Sequence, residues 1–263
     1  MKPPRPTLSI LLRALLFNLG YAGFTIFWSF VCMALGPFLS FERRFALINV
    51  WTRFIFWMLR NINGVEIEVR GRENIPSGQP VVIAANHQSN LETFYLQLVF
   101  SPQSTILKRS LLWIPFFGWG LRMLRPIAID RKRASAALRD IIRQGAERLR
   151  QGMYVTIFPE GTRRDPGEPG DFHSGGAMLA QRARVPLLPV AHNAGLCWPR
   201  KSMLPRPGRV IFEIGEPIAS DQYSTKELNA RAAEWVTERA LALARQAPAA
   251  EDASPTAGNG RTG

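Results

Sequence analysis

His87 stands five residues before a carboxylate, in the stretch Asn86-His87-Gln88-Ser89-Asn90-Leu91-Glu92. The stretch follows Val81-Val82-Ile83-Ala84-Ala85, an apolar run that reads as a buried strand, so His87 sits where a strand ends and a helix begins. Neutral imidazole has an unperturbed pKa of about 6.5 and is a useful base near pH 7. A carboxylate beside it fixes the tautomer and stabilises the imidazolium that forms. Such a pair needs no protein nucleophile if the substrate brings its own hydroxyl. By spacing alone, His87 equally reads as a structural residue capping the next helix.

A second constellation also follows a strand pattern. Pro159-Glu160-Gly161-Thr162-Arg163-Arg164 combines a glycine that permits close backbone approach, a hydroxyl and a guanidinium fork matched to phosphate. Its plain alternative is a tight turn with solvated arginines. Between the two lies Lys108-Arg109-Ser110-Leu111-Leu112-Trp113-Ile114-Pro115-Phe116-Phe117-Gly118-Trp119-Gly120, two cations joined to an aromatic, glycine-bearing loop. That mix suits a groove with a charged end and an apolar wall, or a loop packed on the core.

In this order and spacing, NHQSNLE, KRSLLWIPFFGWG, FPEGTRR and VPLLPV resemble the four blocks of the glycerolipid acyltransferases, most like the bacterial 1-acylglycerol-3-phosphate acyltransferases. The resemblance covers roughly residues 60 to 220. It implies that His87 takes a proton from a free sn-2 hydroxyl, which then attacks an acyl thioester. Glu92 stands where the family usually has aspartate, one methylene shorter, so the orienting role carries over with altered geometry. The resemblance further implies acceptor-phosphate contacts from Glu160, Gly161, Thr162 and Arg163, with Lys108 and Gly118 at the same site, and a link between Pro186 and the acyl donor. In Phe172-His173-Ser174-Gly175 a histidine replaces the family's usual lysine, so His173, like His192, reads as a surface or structural residue. Implied partners are lysophosphatidic acid, membrane lipids, and acyl-CoA or acyl carrier protein as co-substrate. No metal or redox cofactor is implied.

The elements that must position these residues are α/β in pattern. Strand signals fall at 65–69, 80–85, 104–108, 125–130, 154–158, 185–191 and 209–214, and helical periodicity at 90–100, 134–151 and 225–245. This alternation predicts a mostly parallel sheet flanked by helices, with function at the carboxyl ends of the strands. Residues 64–245 form the expected acyltransferase domain, and 246–263 read as a disordered tail.

Residues 1–63 read as membrane-associated helices. No charge occurs from 14 to 41, which is long enough to span a bilayer core or to form a hairpin within one leaflet. Gly36-Pro37 marks its stop, and Asn18, Gly20 and Gly23 mark a close helix contact. Lys2, Arg5 and Arg13 precede it, but the apolar run is longer than a signal-peptide core and lacks a small-x-small cleavage site. Helix 42–63 sets Leu47, Trp51, Phe54, Ile55 and Met58 on one side and Asn49, Arg53 and Arg60 on another, as an interfacial or core-packed helix would. If the first segment crosses, the excess of Arg43, Arg44, Arg53 and Arg60 after it over Lys2 and Arg5 before it, with Arg13 at the edge, is expected to place the following domain in the cytoplasm, at the inner membrane.

Composition agrees. Lysine plus arginine number 33 against 20 acids, a net charge of +13 that favours anionic partners. The cations are dispersed rather than gathered in a stripe, which weighs against nucleic acid, and seven Trp with sixteen Phe weigh toward lipid. Cys32 and Cys197 have neither disulfide nor zinc spacing and read as unpaired thiols of a reducing compartment. The remaining alternatives are an acyltransferase for another lysolipid, such as a lyso-ornithine lipid, and a non-catalytic basic membrane-binding protein.

Overall fold

The computed structural model describes residues 6–130 and 133–246. Lys2, Arg5 and the expected tail from 247 onward lie outside them. Among these residues, seven strands form one sheet: β1 (Val65–Arg70), β2 (Val82–Ala85), β3 (Gln103–Lys108), β4 (Ile127–Ile129), β5 (Tyr154–Ile157), β6 (Leu187–His192) and β7 (Gly208–Ile214). Their spatial order is β1-β7-β6-β2-β5-β3-β4. The run from β6 to β4 is parallel, β7 joins β6 antiparallel, and β1 pairs parallel with β7. The carboxyl ends of β6, β2, β5 and β3 therefore share one edge, which gathers His192, His87, Glu160 and Lys108.

Two helices open the chain, α1 (Leu8–Leu35) and α2 (Phe41–Asn61). Helix α1 stops at Gly36 as expected, and Ser40 starts α2 by accepting from the Arg43 N–H. The two helices form an antiparallel hairpin. A Cβ on Gly20 would lie 2.8 Å from the Met58 sulfur, so the end of that side chain seats on the glycine, whereas a Cβ on Gly23 meets nothing within 4 Å. Trp28 Nε1 donates to the Leu47 carbonyl and Trp51 Nε1 to Thr25 Oγ1.

The interfacial side of the α2 expectation yields to core packing. Trp51, Ile55, Met58 and Leu59 are buried in the same cluster as Val81, Ile83 and Leu91. Asn49, expected on the polar side, is buried, and its Nδ2 donates back to the Phe45 carbonyl. Phe17 of α1 belongs to this core as well, so residue 64 divides the chain without dividing the core. Each such buried side chain contributes about 1.5–3 kcal/mol.

The outer side of α1 has no such cover. Leu12, Leu15, Leu16, Leu19, Phe27 and Phe30 are exposed, spaced as one helical face. From Leu8 to Phe38 the chain is long and apolar enough to cross a membrane, and only 11% of its most apolar window is buried.

The remaining helices cover the sheet: α3 (Leu91–Val99), α4 (Phe117–Met123), α5 (Ala134–Arg150), α6 (Gly175–Ala183), α7 (Ala194–Cys197) and α8 (Thr225–Arg245). The aromatic block, expected as loop, instead makes a 3-10 turn over Arg109–Trp113 and then α4. Gly118 lets the Leu111 and Leu112 carbonyls approach where a Cβ would sit within 3 Å of both, so tertiary packing overrides its poor helix propensity. Helix α6 escaped the sequence reading because it begins with Gly175-Gly176, which press against Ile157 and Leu138.

Gly71 closes β1 at φ +74, and a Cβ there would fall 2.1 Å from the Ile214 carbonyl oxygen. Gly71→Ala should cost about 2–3 kcal/mol through backbone strain and this clash, read as a lowered denaturation midpoint in detergent. A midpoint equal to the wild type's would contradict the geometry.

Candidate active site

The site grows from the edge where β2 and β5 end. Asn86 continues β2, and its side chain forms a two-way clasp with the main chain of His192 on the neighbouring strand β6: Nδ2 donates to the His192 carbonyl and Oδ1 accepts from its N–H, both at 3.0 Å. His192 is fully buried. Its Nδ1 accepts from the Ala194 N–H at 3.3 Å, which leaves Nε2 to donate to the Asn86 carbonyl at 2.7 Å. Burial holds its pKa below the ordinary imidazole value, so it is neutral at pH 7. The structural role expected for His192 holds, in the interior rather than at the surface.

With Asn86 fixed, His87 projects over Phe158, the residue after β5, with ring centroids 4.3 Å apart and planes 20° from parallel. Its Nδ1 lies 2.7 Å from Glu92 Oε1. The same oxygen accepts the N–H groups of Gln88 and Ser89 at 3.0 and 2.8 Å. The longer side chain in place of aspartate therefore still reaches the histidine. Glu92 lies in the first turn of α3, where a negative charge is favoured. The first-turn amide of Leu91 donates to Ser89 Oγ at 3.1 Å, so capping does not fall to His87. Burial acts to raise the Glu92 pKa, but the neighbouring imidazoles of His192 and His87, the His87 hydrogen bond and the Ser89 N–H outweigh it and hold the carboxyl below its ordinary range. An ionised carboxylate only accepts, so Nδ1 carries a proton, and Nε2 is the ring nitrogen that can act as a base.

The loop after β5 lies against this pair. Gly161 sits at φ +66 with the exposed His173 ring 3.5 Å from where a Cβ would be, and Thr162 is exposed. The Arg163 guanidinium donates to Asn90 Oδ1 at the start of α3, which brings the expected phosphate ligand beside the base. The Arg164 N–H donates to the His87 carbonyl at 2.7 Å. Arg200, from the loop after α7, bonds both carboxylate oxygens of Asp165 and the Arg163 carbonyl. Asn90, Asp165 and Arg200 were missed from sequence. Asn90 lies inside the histidine block, but Arg200 is 37 residues from Arg163 and no local pattern links them.

Three expected substrate contacts are corrected by their positions. Glu160 is buried and accepts from the backbone N–H groups of His87 and Gly170, so it fastens the loop to the base instead of facing a phosphate. Gly118 is set against the Leu111 and Leu112 carbonyls, a packing role. Pro186 precedes β6 at its amino end, where its carbonyl accepts the Val82 N–H. Val82 is five residues before His87, so Pro186 is set back by about 16 Å along the strands. Lys108 ends β3 exposed on the correct edge. An apolar cavity of about 50 Å³ between α1 and α4, lined by Trp28, Ile48, Trp51, Phe94 and Phe117, includes none of the site residues.

Burial pushes the Glu160 pKa up to about 7; the amides and Arg164 act against the rise, and the Glu92 charge adds to it. Folded protein therefore holds a proton that unfolded protein releases between about pH 4.5 and about pH 7. Stability from this group falls as pH rises through that window and is level above it. Glu160→Gln should remove that slope, so the variant gains stability relative to the wild type between pH 5 and pH 8, as read by denaturation midpoints. Parallel pH curves would contradict this.

A family model described as Acyltransferase matches residues 66–193. The 1-acyl-sn-glycerol-3-phosphate acyltransferase of Pseudomonas aeruginosa is 43% identical over 231 residues, 86% of this chain and 90% of that protein. A protein of the same name from Saccharomyces cerevisiae is 28% identical over 226 residues, covering 82% of this chain and 72% of its own. Among solved structures, the 1-acyl-sn-glycerophosphate (LPA) acyltransferase PlsC of Thermotoga maritima superposes with a TM-score of 0.75 at 27% identity, over 89% of this chain and 95% of that one. Fold, block order and similarity over most of both chains agree: this chain belongs to the acyltransferase family, together with the 1-acyl-sn-glycerol-3-phosphate acyltransferases.

Proposed function

We propose that this protein transfers an acyl chain from a thioester, carried by coenzyme A or acyl carrier protein, to the sn-2 hydroxyl of 1-acyl-sn-glycerol 3-phosphate, forming phosphatidic acid at a membrane surface. The observation that carries this is the 2.7 Å contact between His87 Nδ1 and the buried Glu92, which turns Nε2 away from the carboxylate, with Arg163 held at Asn90 in the same block. Nε2 takes the hydroxyl proton as the oxygen attacks the thioester carbonyl. The tetrahedral intermediate collapses, the carbon–sulfur bond breaks, and the leaving thiolate takes the proton back from the imidazolium. Glu92 stabilises that imidazolium and keeps the ring in place. Arg163 binds the acceptor phosphate, with Thr162 offering a hydroxyl beside it, Gly161 turning the loop through its N–H bond to the Phe158 carbonyl, and Lys108 supplying further positive charge at the same edge. A positioned base contributes about 10²–10⁴ in rate, and anchoring the acceptor by its phosphate supplies the orientation. In this reading the thioester is a co-substrate, and neither a metal nor a nucleic acid takes part.

Membrane attachment belongs to the same reading. The exposed leucines and phenylalanines of α1 fit the acyl region of lipid. Its inner side, from Phe17 to Gly36, is occupied by α2, Trp198, Phe116 and Met123, which favours α1 lying along one leaflet over crossing the bilayer. The domain then faces the cytoplasm on the inner membrane, where both thioester carriers reside.

His87→Ala should lower turnover by at least about 10³ while vesicle binding is kept; normal turnover would sink the mechanism. Glu92→Gln should cut kcat more than Glu92→Asp, with both Michaelis constants little changed, because only the acid keeps an ionised acceptor on Nδ1. Given labelled acyl-CoA and a panel of lysolipids, the purified protein should use lysophosphatidate best. Equal use of a lyso-ornithine lipid would overturn the assignment of the acceptor.

A further inference from the structure

The Arg163 guanidinium can meet a phosphate only if its main chain is held, and that main chain is a loop crossing from β5 toward α6. On one side Glu160 and the Arg164 N–H tie the loop to His87. On the other side the tie is Arg200. All three of its donor nitrogens are engaged: Nε and one terminal nitrogen take the two Asp165 oxygens at 3.0 and 2.8 Å, and the other terminal nitrogen takes the Arg163 carbonyl at 2.7 Å. Such a fork fixes both distance and plane, and commits three of the five Arg200 N–H donors, one on each nitrogen, to the loop.

The loop that carries Arg200 is itself held by α1. Trp198 is buried and meets Phe17 edge-on at 5.4 Å and Tyr21 at 6.2 Å. Five residues on, the Met203 carbonyl accepts from Asn18 Nδ2 at 2.7 Å. The Trp198 indole closes the loop by donating to the Ser202 carbonyl at 3.0 Å. A continuous set of contacts thus runs from α1, through Trp198 and Met203, to Arg200 and on to the main chain of Arg163. The peptide that Arg200 holds also carries the Arg164 N–H that donates to the His87 carbonyl, so the set reaches the His87 main chain but not its imidazole or Glu92.

We infer that Arg200 is a positioning residue for the acceptor phosphate, setting Arg163 from a loop seated on α1, so that acceptor binding depends on the seat of α1 while the imidazole of the base keeps its own support from Glu92 and Phe158. The inference rests on Arg163 binding the acceptor phosphate.

The test is steady-state kinetics of the full chain in vesicles of phosphatidylethanolamine and phosphatidylglycerol, varying lysophosphatidate and acyl-CoA in turn. Arg200→Met and Asp165→Asn should each raise the acceptor Michaelis constant roughly tenfold, with kcat and the donor constant within about twofold. Arg200→Lys should recover part of the loss, since a single ammonium cannot form the fork. Arg163→Ala/Arg200→Met should be no worse than Arg163→Ala, because Arg200 acts through Arg163. Asn18→Ala should shift the acceptor constant in the same direction by a few-fold. If Arg163→Ala leaves the acceptor constant unchanged, the phosphate reading itself fails. If Arg163→Ala raises it and Arg200→Met does not, or the two effects multiply, the positioning role of Arg200 is overturned. An equal loss against both substrates would also overturn it, as general support of the fold, and a silent Asn18→Ala would overturn the link to α1.

Discussion

A single buried carboxylate oxygen organises this site. Glu92 has no exposed surface, and an ionised carboxylate in that position is costly unless donors compensate it. Its Oε1 receives the Gln88 and Ser89 amides and the His87 imidazole together. The amides shape the turn between β2 and α3, and the imidazole thereby acquires one tautomer and one direction. Chain geometry and proton geometry are set by the same oxygen, so the base cannot be altered without altering the turn that presents it.

Around that oxygen, neighbouring strands are stapled by their loops. Asn86 and His192 tie the end of β2 to β6, while Glu160 and Arg164 tie the loop after β5 to the His87 main chain. Parallel strands bring three loops to one edge, and these polar contacts fix the loops relative to one another. The interior histidine and the interior glutamate are thus part of the support of the base, without themselves facing substrate. The hydrophobic hairpin at the amino end shares the core instead of hanging from it, which joins the lipid-facing surface to the catalytic body.

Much of this was legible in the chain. The strands around β2, β5, β6 and β7 and the long helices α5 and α8 follow from apolar periodicity, because each buries one face and repeats. His87, Glu92 and Arg163 stand out in the sequence because each lies in a short block at a strand end. What could not be read was long-range or negative. The Arg200 fork joins residues 35 and 37 positions apart, which periodicity does not encode. Helix α4 depends on what Gly118 lacks, and Asn49 looks polar in sequence yet is buried along α2, where its Nδ2 donates to the Phe45 carbonyl and its Oδ1 has no partner among the described residues. Pro186 shows the opposite error: a block resemblance brought it to the site, whereas strand length puts it at the other end of β6. His192 had a usable signal, since Ala85 and Val190 are in register and each precedes a histidine by two residues.

On this mechanism Glu92 fixes His87 with a proton on Nδ1 and leaves Nε2 bare as the base. Nitrogen-15 NMR of the free protein at pH 8, with labelled histidine, reads this directly, and three histidines make assignment by single substitutions practical. The account predicts a protonated Nδ1 and an unprotonated Nε2 for His87, beside the reverse tautomer for His192. A His87 ring protonated on Nε2, or exchanging between both tautomers, would contradict it.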